Sequence, residues 1–147
     1  MPIEQFEQLN VWRRAHALVL FTYKRTKLLP EDERYGLSSQ MRRAAVSVAS
    51  NIAEGFKRRG WGDKLRRYNI AQSSLEELRY GFLLCQDLGY FTFESEHQEL
   101  VADTARLLSG LVRATRLRQF GAFVSAGTFV AAAGFFLHSI FYLLHSM

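Results

Sequence analysis

Six of the chain's 19 lysines and arginines fall within eleven positions: Lys57, Arg58, Arg59, Lys64, Arg66 and Arg67. Asp63 is the one acid among them, and Trp61 stands at their centre. Cations at this density neutralise a run of phosphates, and an indole can stack on a base. The set is therefore a candidate nucleic-acid-binding site for RNA or DNA, working by phosphate contact rather than by base readout. Arg42 and Arg43 can add to it, while Arg13, Arg14, Lys24, Arg25 and Lys27 form a second, more diffuse basic set. The competing reading is a solvated turn between helices. Other chemistry is missing from the pattern. His16, His97, His138 and His145 are dispersed, and no phosphate-cradling glycine loop, metal-ligand spacing or nucleophile motif occurs. We expect no catalytic residue, no metal and no cofactor, hence no enzyme. The single cysteine, Cys85, excludes an internal disulfide framework and suits a reducing compartment.

The elements that must carry the basic set are helices. Residues 1–118 show no strand alternation, but they show helical periodicity in four blocks separated by short breakers. The first covers about residues 4–28, with Phe6, Leu9, Trp12, Val19 and Tyr23 as its apolar stripe, and it ends at Pro30. The second starts in the acids Glu31, Asp32 and Glu33, which suit the positive end of a helix dipole. It presents Leu37, Met41, Ala44, Val48, Ile52 and Gly55, with Ala44, Ala45 and Gly55 small enough for close helix approach. Gly60-Trp61-Gly62 breaks the chain, which puts Trp61 at a turn. The third block carries a heptad seam of Tyr68, Ala71, Leu75, Leu78, Phe82 and Cys85, and Gly89 stops it. Thr92 is placed to cap the fourth block, whose face is Leu100, Thr104, Leu107, Leu111 and Ala114. Four helices with short connections imply an all-α, up-down-up-down four-helix bundle. On its buried seam Cys85 is a small hydrophobe rather than a nucleophile.

The chain of 147 residues carries a formal charge of +5 and a mean hydropathy of −0.09, values that conceal a split. Every Lys and Arg lies at or before Arg118 and every Asp and Glu at or before Asp103, so residues 119–147 have no formal charge. Two domains follow: a bundle at 1–118 and an apolar helix at 119–147. As a helix, residues 120–144 span about 37 Å, enough for a hydrocarbon core of about 30 Å. Arg113, Arg116 and Arg118 precede the segment and no cation follows it. The expected location is thus the inner membrane, with the bundle in the cytoplasm; a cytoplasmic protein with a buried apolar helix is the alternative. Gly127, Ala131, Gly134 and His138 share one face of this helix, suited to close helix packing in lipid. A passive anchor and a pore lined by His138 are the two readings of that face. No signal peptide is expected, because Arg13, Arg14 and His16 interrupt the first apolar stretch.

Four strings point to a family. They are Phe6-x-x-Leu9-x-Val11-Trp12, Pro30-x-x-Glu33-x-Tyr35-Gly36-Leu37-x-x-Gln40-x-Arg42-Arg43-Ala44-Ala45-x-Ser47-Val48, Asn51-Ile52-Ala53-Glu54-Gly55 and Ile70-Ala71-x-x-Ser74-Leu75-x-Glu77-Leu78. Over about residues 3–115 the chain resembles the bacterial four-helix-bundle family of 23S rRNA intervening-sequence proteins, which includes the accessory variability protein of diversity-generating retroelements. The resemblance implies a homopentameric ring of four-helix protomers with no known catalytic activity. For the retroelement relatives it also implies a basic ring that binds nucleic acid and a nucleic-acid enzyme, a reverse transcriptase. Gln72-Ser73 departs from the glycine-serine of many members, and the apolar tail is an addition to the family pattern. Among the matched polar residues, Ser47, Asn51, Glu54, Ser74 and Glu77 fall close to the apolar seams of the second and third helices. Buried polar groups must be hydrogen-bonded. The set reads as a structural interhelical network in which Asn51 and Glu54 face Ser74 and Glu77.

Overall fold

In this computed structural model the described residues are 3–92 and 94–145, with side chains described up to Phe123, Glu96 excepted. Four α-helices, α1 (Asn10–Arg25), α2 (Leu37–Lys57), α3 (Trp61–Asp87) and α4 (Ser95–His145), make up the fold, joined by short turns. No strand occurs among the described residues. α2 packs on α1 and α3, and α4 packs on α3 and α1, so the four helices close a square bundle of alternating direction.

The first block is divided more finely than its periodicity suggests. Phe6–Gln8 forms a single 3-10 turn, Leu9 is extended (φ −72°, ψ 123°), and α1 follows. Thr26–Leu28 is another 3-10 turn, and Leu29 is extended before Pro30, as the pyrrolidine ring requires. The expected stripe is also rotated. Val11, Ala15, Leu18 and Thr22 are the buried positions of α1, whereas Trp12 and Val19 are half-buried and Tyr23 is exposed. The seam mixes the large Leu18 with the small Ala15 and the polar Thr22, and Thr22 is tolerated there because its hydroxyl donates to the Leu18 carbonyl at 2.7 Å.

The acids of 31–33 do not open α2. They form a separate 3-10 turn, Glu31–Glu33, and Gly36 precedes the helix. Glu33 nonetheless serves α2 from outside: its Oε2 accepts the Leu37 amide hydrogen at 3.0 Å, satisfying a first-turn donor. Met41, Ala44, Val48, Ile52 and Gly55 are buried, as the stripe requires, and Leu37 is half-buried. The Tyr68 ring lies so close over Gly55 that a Cβ there would sit 2.4 Å from Tyr68 Cε1. Met41 similarly fills the space over Gly81.

The whole heptad of α3 is buried, from Tyr68 to Cys85. α3 ends in a Schellman motif. The Gly89 amide donates to the Gln86 carbonyl at 3.0 Å and the Tyr90 amide to the Cys85 carbonyl at 2.9 Å. Gly89 adopts φ +73°, the left-handed geometry that suits glycine. α4 begins at Ser95, beyond Thr92, so Thr92 does not cap it. Its seam is Val101, Thr104, Leu108, Val112 and Thr115, which leaves Leu100, Leu107 and Leu111 half-buried and Ala114 exposed. Thr104 and Thr115 each bond the carbonyl four residues back at 2.8 Å, and so hide as apolar positions.

α4 continues through Arg118 without a break, so the boundary drawn between bundle and tail falls inside one helix. Among the described residues no helix is long and apolar enough to cross a membrane. The expectation of a membrane helix at 120–144, and its face of Gly127, Ala131, Gly134 and His138, falls almost wholly beyond the described side chains, which reach Phe123.

Candidate polyanion-binding end of the bundle

The network between α2 and α3 fixes which cations are occupied. Ser47 Oγ and Ser74 Oγ share a hydrogen bond of 2.8 Å across the two helices. Asn51 Nδ2 donates to the Ser47 carbonyl at 2.9 Å and to Ser47 Oγ at 3.2 Å. Arg67 Nη1 donates to Asn51 Oδ1 at 3.4 Å and pairs with Glu54 Oε2 at 3.1 Å. Ser47, Asn51, Glu54 and Ser74 therefore come together, and Arg67 joins them from the basic set. Glu77, one turn from Ser74, makes a separate bond across the same two helices: its Oε1 accepts from Gln40 Nε2 at 3.3 Å. Every member has a partner, so the cluster holds α2 to α3.

Lys64 is occupied too. Its ammonium donates to the Phe56 carbonyl at 2.8 Å and the Gly55 carbonyl at 3.2 Å, two of the orphan acceptors at the C-terminus of α2. Burial, and then the charge of Arg118, lower its pKa from the ordinary 10.5. Lys57 sits with its ammonium 5.9 Å from the Phe56 ring centre. Arg58, Arg59 and Arg66 are exposed; the Arg58 amide closes the end of α2 on the Glu54 carbonyl at 3.2 Å, but none of the three guanidinium groups makes a hydrogen bond or ion pair among the described residues. Trp61 is the first residue of α3, not a turn tip, and is half-buried.

The Arg118 charge felt at Lys64 reports which end of the bundle this is. Gln72 Nε2 on α3 donates to Ser109 Oγ on α4 at 3.4 Å, and the helices are antiparallel. At about 1.5 Å per residue in each helix, this register sets Lys64 near the level of Leu117 and Trp61 near the level of Phe120. Arg113, Arg116 and Arg118, all exposed, thus line the same end as the α2–α3 turn. Just past them Leu117, Phe120 and Phe123 are 68%, 70% and 68% exposed. The co-location of the α2–α3 turn cations with Arg113, Arg116 and Arg118 follows from alternating helix direction, a signal already present in the order of the four blocks.

Two other features bear on chemistry. Cys85 is fully buried with its Sγ 3.6 Å from Met41 Sδ, and burial, aided by Glu33, pushes its thiol up to about 11, so it is no thiolate nucleophile at neutral pH. Among the described residues no group of three His, Cys, Asp or Glu side chains is placed to hold a metal ion.

The fold and this end together define a four-helix-bundle protein with a basic pole. Residues 7–113 match the 23S rRNA-intervening sequence protein family, and the chain belongs to that family. A crystal structure of a protein of unknown function from the S23 ribosomal protein family of Bacteroides thetaiotaomicron is similar, with TM-score 0.62 and 20% identity, over 70% of this chain and 95% of that one. At that identity the likeness speaks for the fold. A search of curated proteins found no match. The family match ends before the uncharged segment begins.

Proposed function

We propose that the chain is a non-catalytic, homo-oligomeric scaffold, pentameric as the family resemblance implies, tethered by the end of α4 to the bacterial inner membrane with the bundle in the cytoplasm. The observation that carries the tether is α4 itself, which leaves the bundle as an unbroken helix and enters 29 residues without a formal charge. Arg113, Arg116 and Arg118 on its near side agree with a cytoplasmic bundle. In this reading the protein concentrates its basic ends in one ring and holds them at a surface, a multivalent arrangement.

The full chain should stay in the membrane pellet after carbonate washing. Val130→Arg with Phe136→Arg should release it, since each arginine at a span centre costs roughly 3 kcal/mol of insertion. Mass measurement of the detergent-solubilised full chain should give five copies. A full chain recovered in the wash sinks the tether, and a monomer sinks the ring. A second reading, contact with RNA or DNA and through it with a nucleic-acid enzyme, is supported by the unpaired Arg58, Arg59 and Arg66 beside Trp61.

A further inference from the structure

The cations of the α2–α3 turn and those of α4 meet at one end of the molecule. Nine of the chain's 19 cations gather at the end where α4 departs: Lys57, Arg58, Arg59, Lys64, Arg66, Arg67, Arg113, Arg116 and Arg118. The acids nearby are Glu4, Glu7, Glu54 and Asp63, and Glu54 is already held by Arg67. Discounting Lys64 and Arg67, which the fold itself employs, still leaves a clear excess of exposed positive charge. The register also gives depth. Arg66 lies about 8 Å from the level of Phe120 along the axis, and Arg116 and Arg118 lie closer. The headgroup layer on each side of a bilayer is about 5–8 Å deep. Trp61 falls at the level of the first exposed phenylalanine, where an amphipathic indole belongs in an interface.

We infer that Lys57, Arg58, Arg59 and Arg66 of the turn and Arg113, Arg116 and Arg118 of α4 form one collar that binds the phosphate headgroups of anionic lipids around the emerging helix, with Trp61 at the interface. The inference rests on the tether proposed above and deepens it by naming the occupant of the basic end. A polynucleotide on the same cations would leave Leu117, Phe120 and Phe123 exposed beside it without a role. Lipid accounts for the cations and the apolar side chains together. Long arginine stems on apolar surface with their heads at the phosphate level are the ordinary geometry of such a boundary. The closeness of Arg118 to Lys64, whose pKa it helps lower, agrees with a single field at this end.

The test uses the full chain with Trp12→Phe, which leaves Trp61 as the one tryptophan. It is reconstituted into phosphatidylcholine vesicles with increasing phosphatidylglycerol, one lipid at a time carrying brominated acyl chains. Quenching of Trp61 then reports which lipid is next to it. Brominated phosphatidylglycerol should quench well beyond its share of the lipid, and the preference should weaken as salt rises above about 0.15 M. Each cation near a membrane surface is worth about fivefold in lipid attraction, so Arg58→Gln, Arg59→Gln and Arg66→Gln together should cut the preference by up to about a hundredfold. The corresponding arginine-to-lysine changes should keep it. Carbonate-resistant insertion with equal quenching by both lipids overturns the collar and leaves the tether standing. Failure to insert at all overturns both. Displacement of the quenching lipid by single-stranded RNA or DNA at about 0.15 M salt overturns the lipid assignment in favour of the polynucleotide.

Discussion

The two ends of the bundle carry opposite fields, and the titratable groups inside them register the difference. At the end away from the emerging helix stand Glu31, Asp32, Glu33, Asp87, Glu94 and Glu99, against Lys24, Arg25, Lys27 and Arg34. There Cys85 and Tyr90 are both pushed up, by burial first and then by Glu33. At the other end Lys64 is pushed down, by burial first and then by Arg118. The ends also differ in what their charges do. Glu33 accepts the Leu37 amide with one oxygen and the Tyr90 hydroxyl at 3.2 Å with the other. Glu94 receives Arg25 at 3.4 Å. The acidic end invests its charge in holding turns to helices. The basic end has Arg58, Arg59 and Arg66 left over. Charges with internal partners are architecture, and charges without them are available to something outside the molecule.

The contrast predicts where stability resides, and the largest effect belongs to the acidic end. Phe82 is fully buried there, 5.5 Å from the Phe21 ring and 6.3 Å from Phe91. Phe82→Ala should cost about 4 kcal/mol, read as a fall in the urea midpoint with an unchanged slope. A cost under 1 kcal/mol would show that this end is held by its ion pairs instead.

The next effect is a dependence on pH. The Cys85 thiol releases its proton near 9.0 in its ordinary state and at about 11 in the folded protein. Between those values the unfolded chain holds fewer protons, so unfolding is favoured as pH rises. Stability should be intact below about pH 9 and decline through about 11, by order of 2 kcal/mol. Tyr68 and Tyr90, also raised, add to the decline. Lys64 acts in the opposite sense. Its folded pKa is depressed, so its contribution improves as pH rises through that value toward 10.5. Cys85→Ala should flatten the alkaline slope, and Lys64→Met should steepen it. Identical slopes in all three proteins would remove the electrostatic distinction between the ends.

Glu33→Ala comes third. It removes the acceptor for Leu37 and the partner of Tyr90 together, and should cost about 1 kcal/mol. Hydrogen exchange should quicken first at the start of α2. Loss confined to α3 would contradict the role assigned to Glu33.

How far the sequence discloses this arrangement depends on residue type. The α3 seam is legible because large apolar side chains mark it, from Tyr68 to Phe82. The α1 and α4 seams are less so, because Ala15, Thr22, Thr104 and Thr115 stand where a hydrophobic stripe is sought, and the threonines conceal their hydroxyls on their own helix. Tyr23, large enough to suggest core, lies instead on the surface with the Arg42 guanidinium 5.2 Å from its ring centre. In the basic set the types are plain but their availability is not. Lys64 and Arg67 look like their neighbours in sequence, and only the register of α2 on α3 delivers them to the Phe56 carbonyl and to Glu54. Glu77 falls outside the polar cluster for the same reason, its helical position turning it toward Gln40.

The smallest predicted effect separates architecture from availability most directly. Arg58→Gln with Arg59→Gln removes two exposed guanidinium groups that make no hydrogen bond or ion pair among the described residues. Surface changes of this kind usually move stability by less than about 0.5 kcal/mol. Here the sign should be slightly favourable, because neighbouring Lys57, Lys64 and Arg66 repel the charges removed. The gain should be visible at low salt and vanish near 1 M, where screening reaches about 3 Å. Arg67→Gln, next to them in sequence, should instead destabilise by about 1 kcal/mol at either salt, since it strips Glu54 and Asn51 of their donor at the half-buried α2–α3 seam. If both variants lose stability alike, all the arginines of this end are structural, and no charge remains there for an external anion.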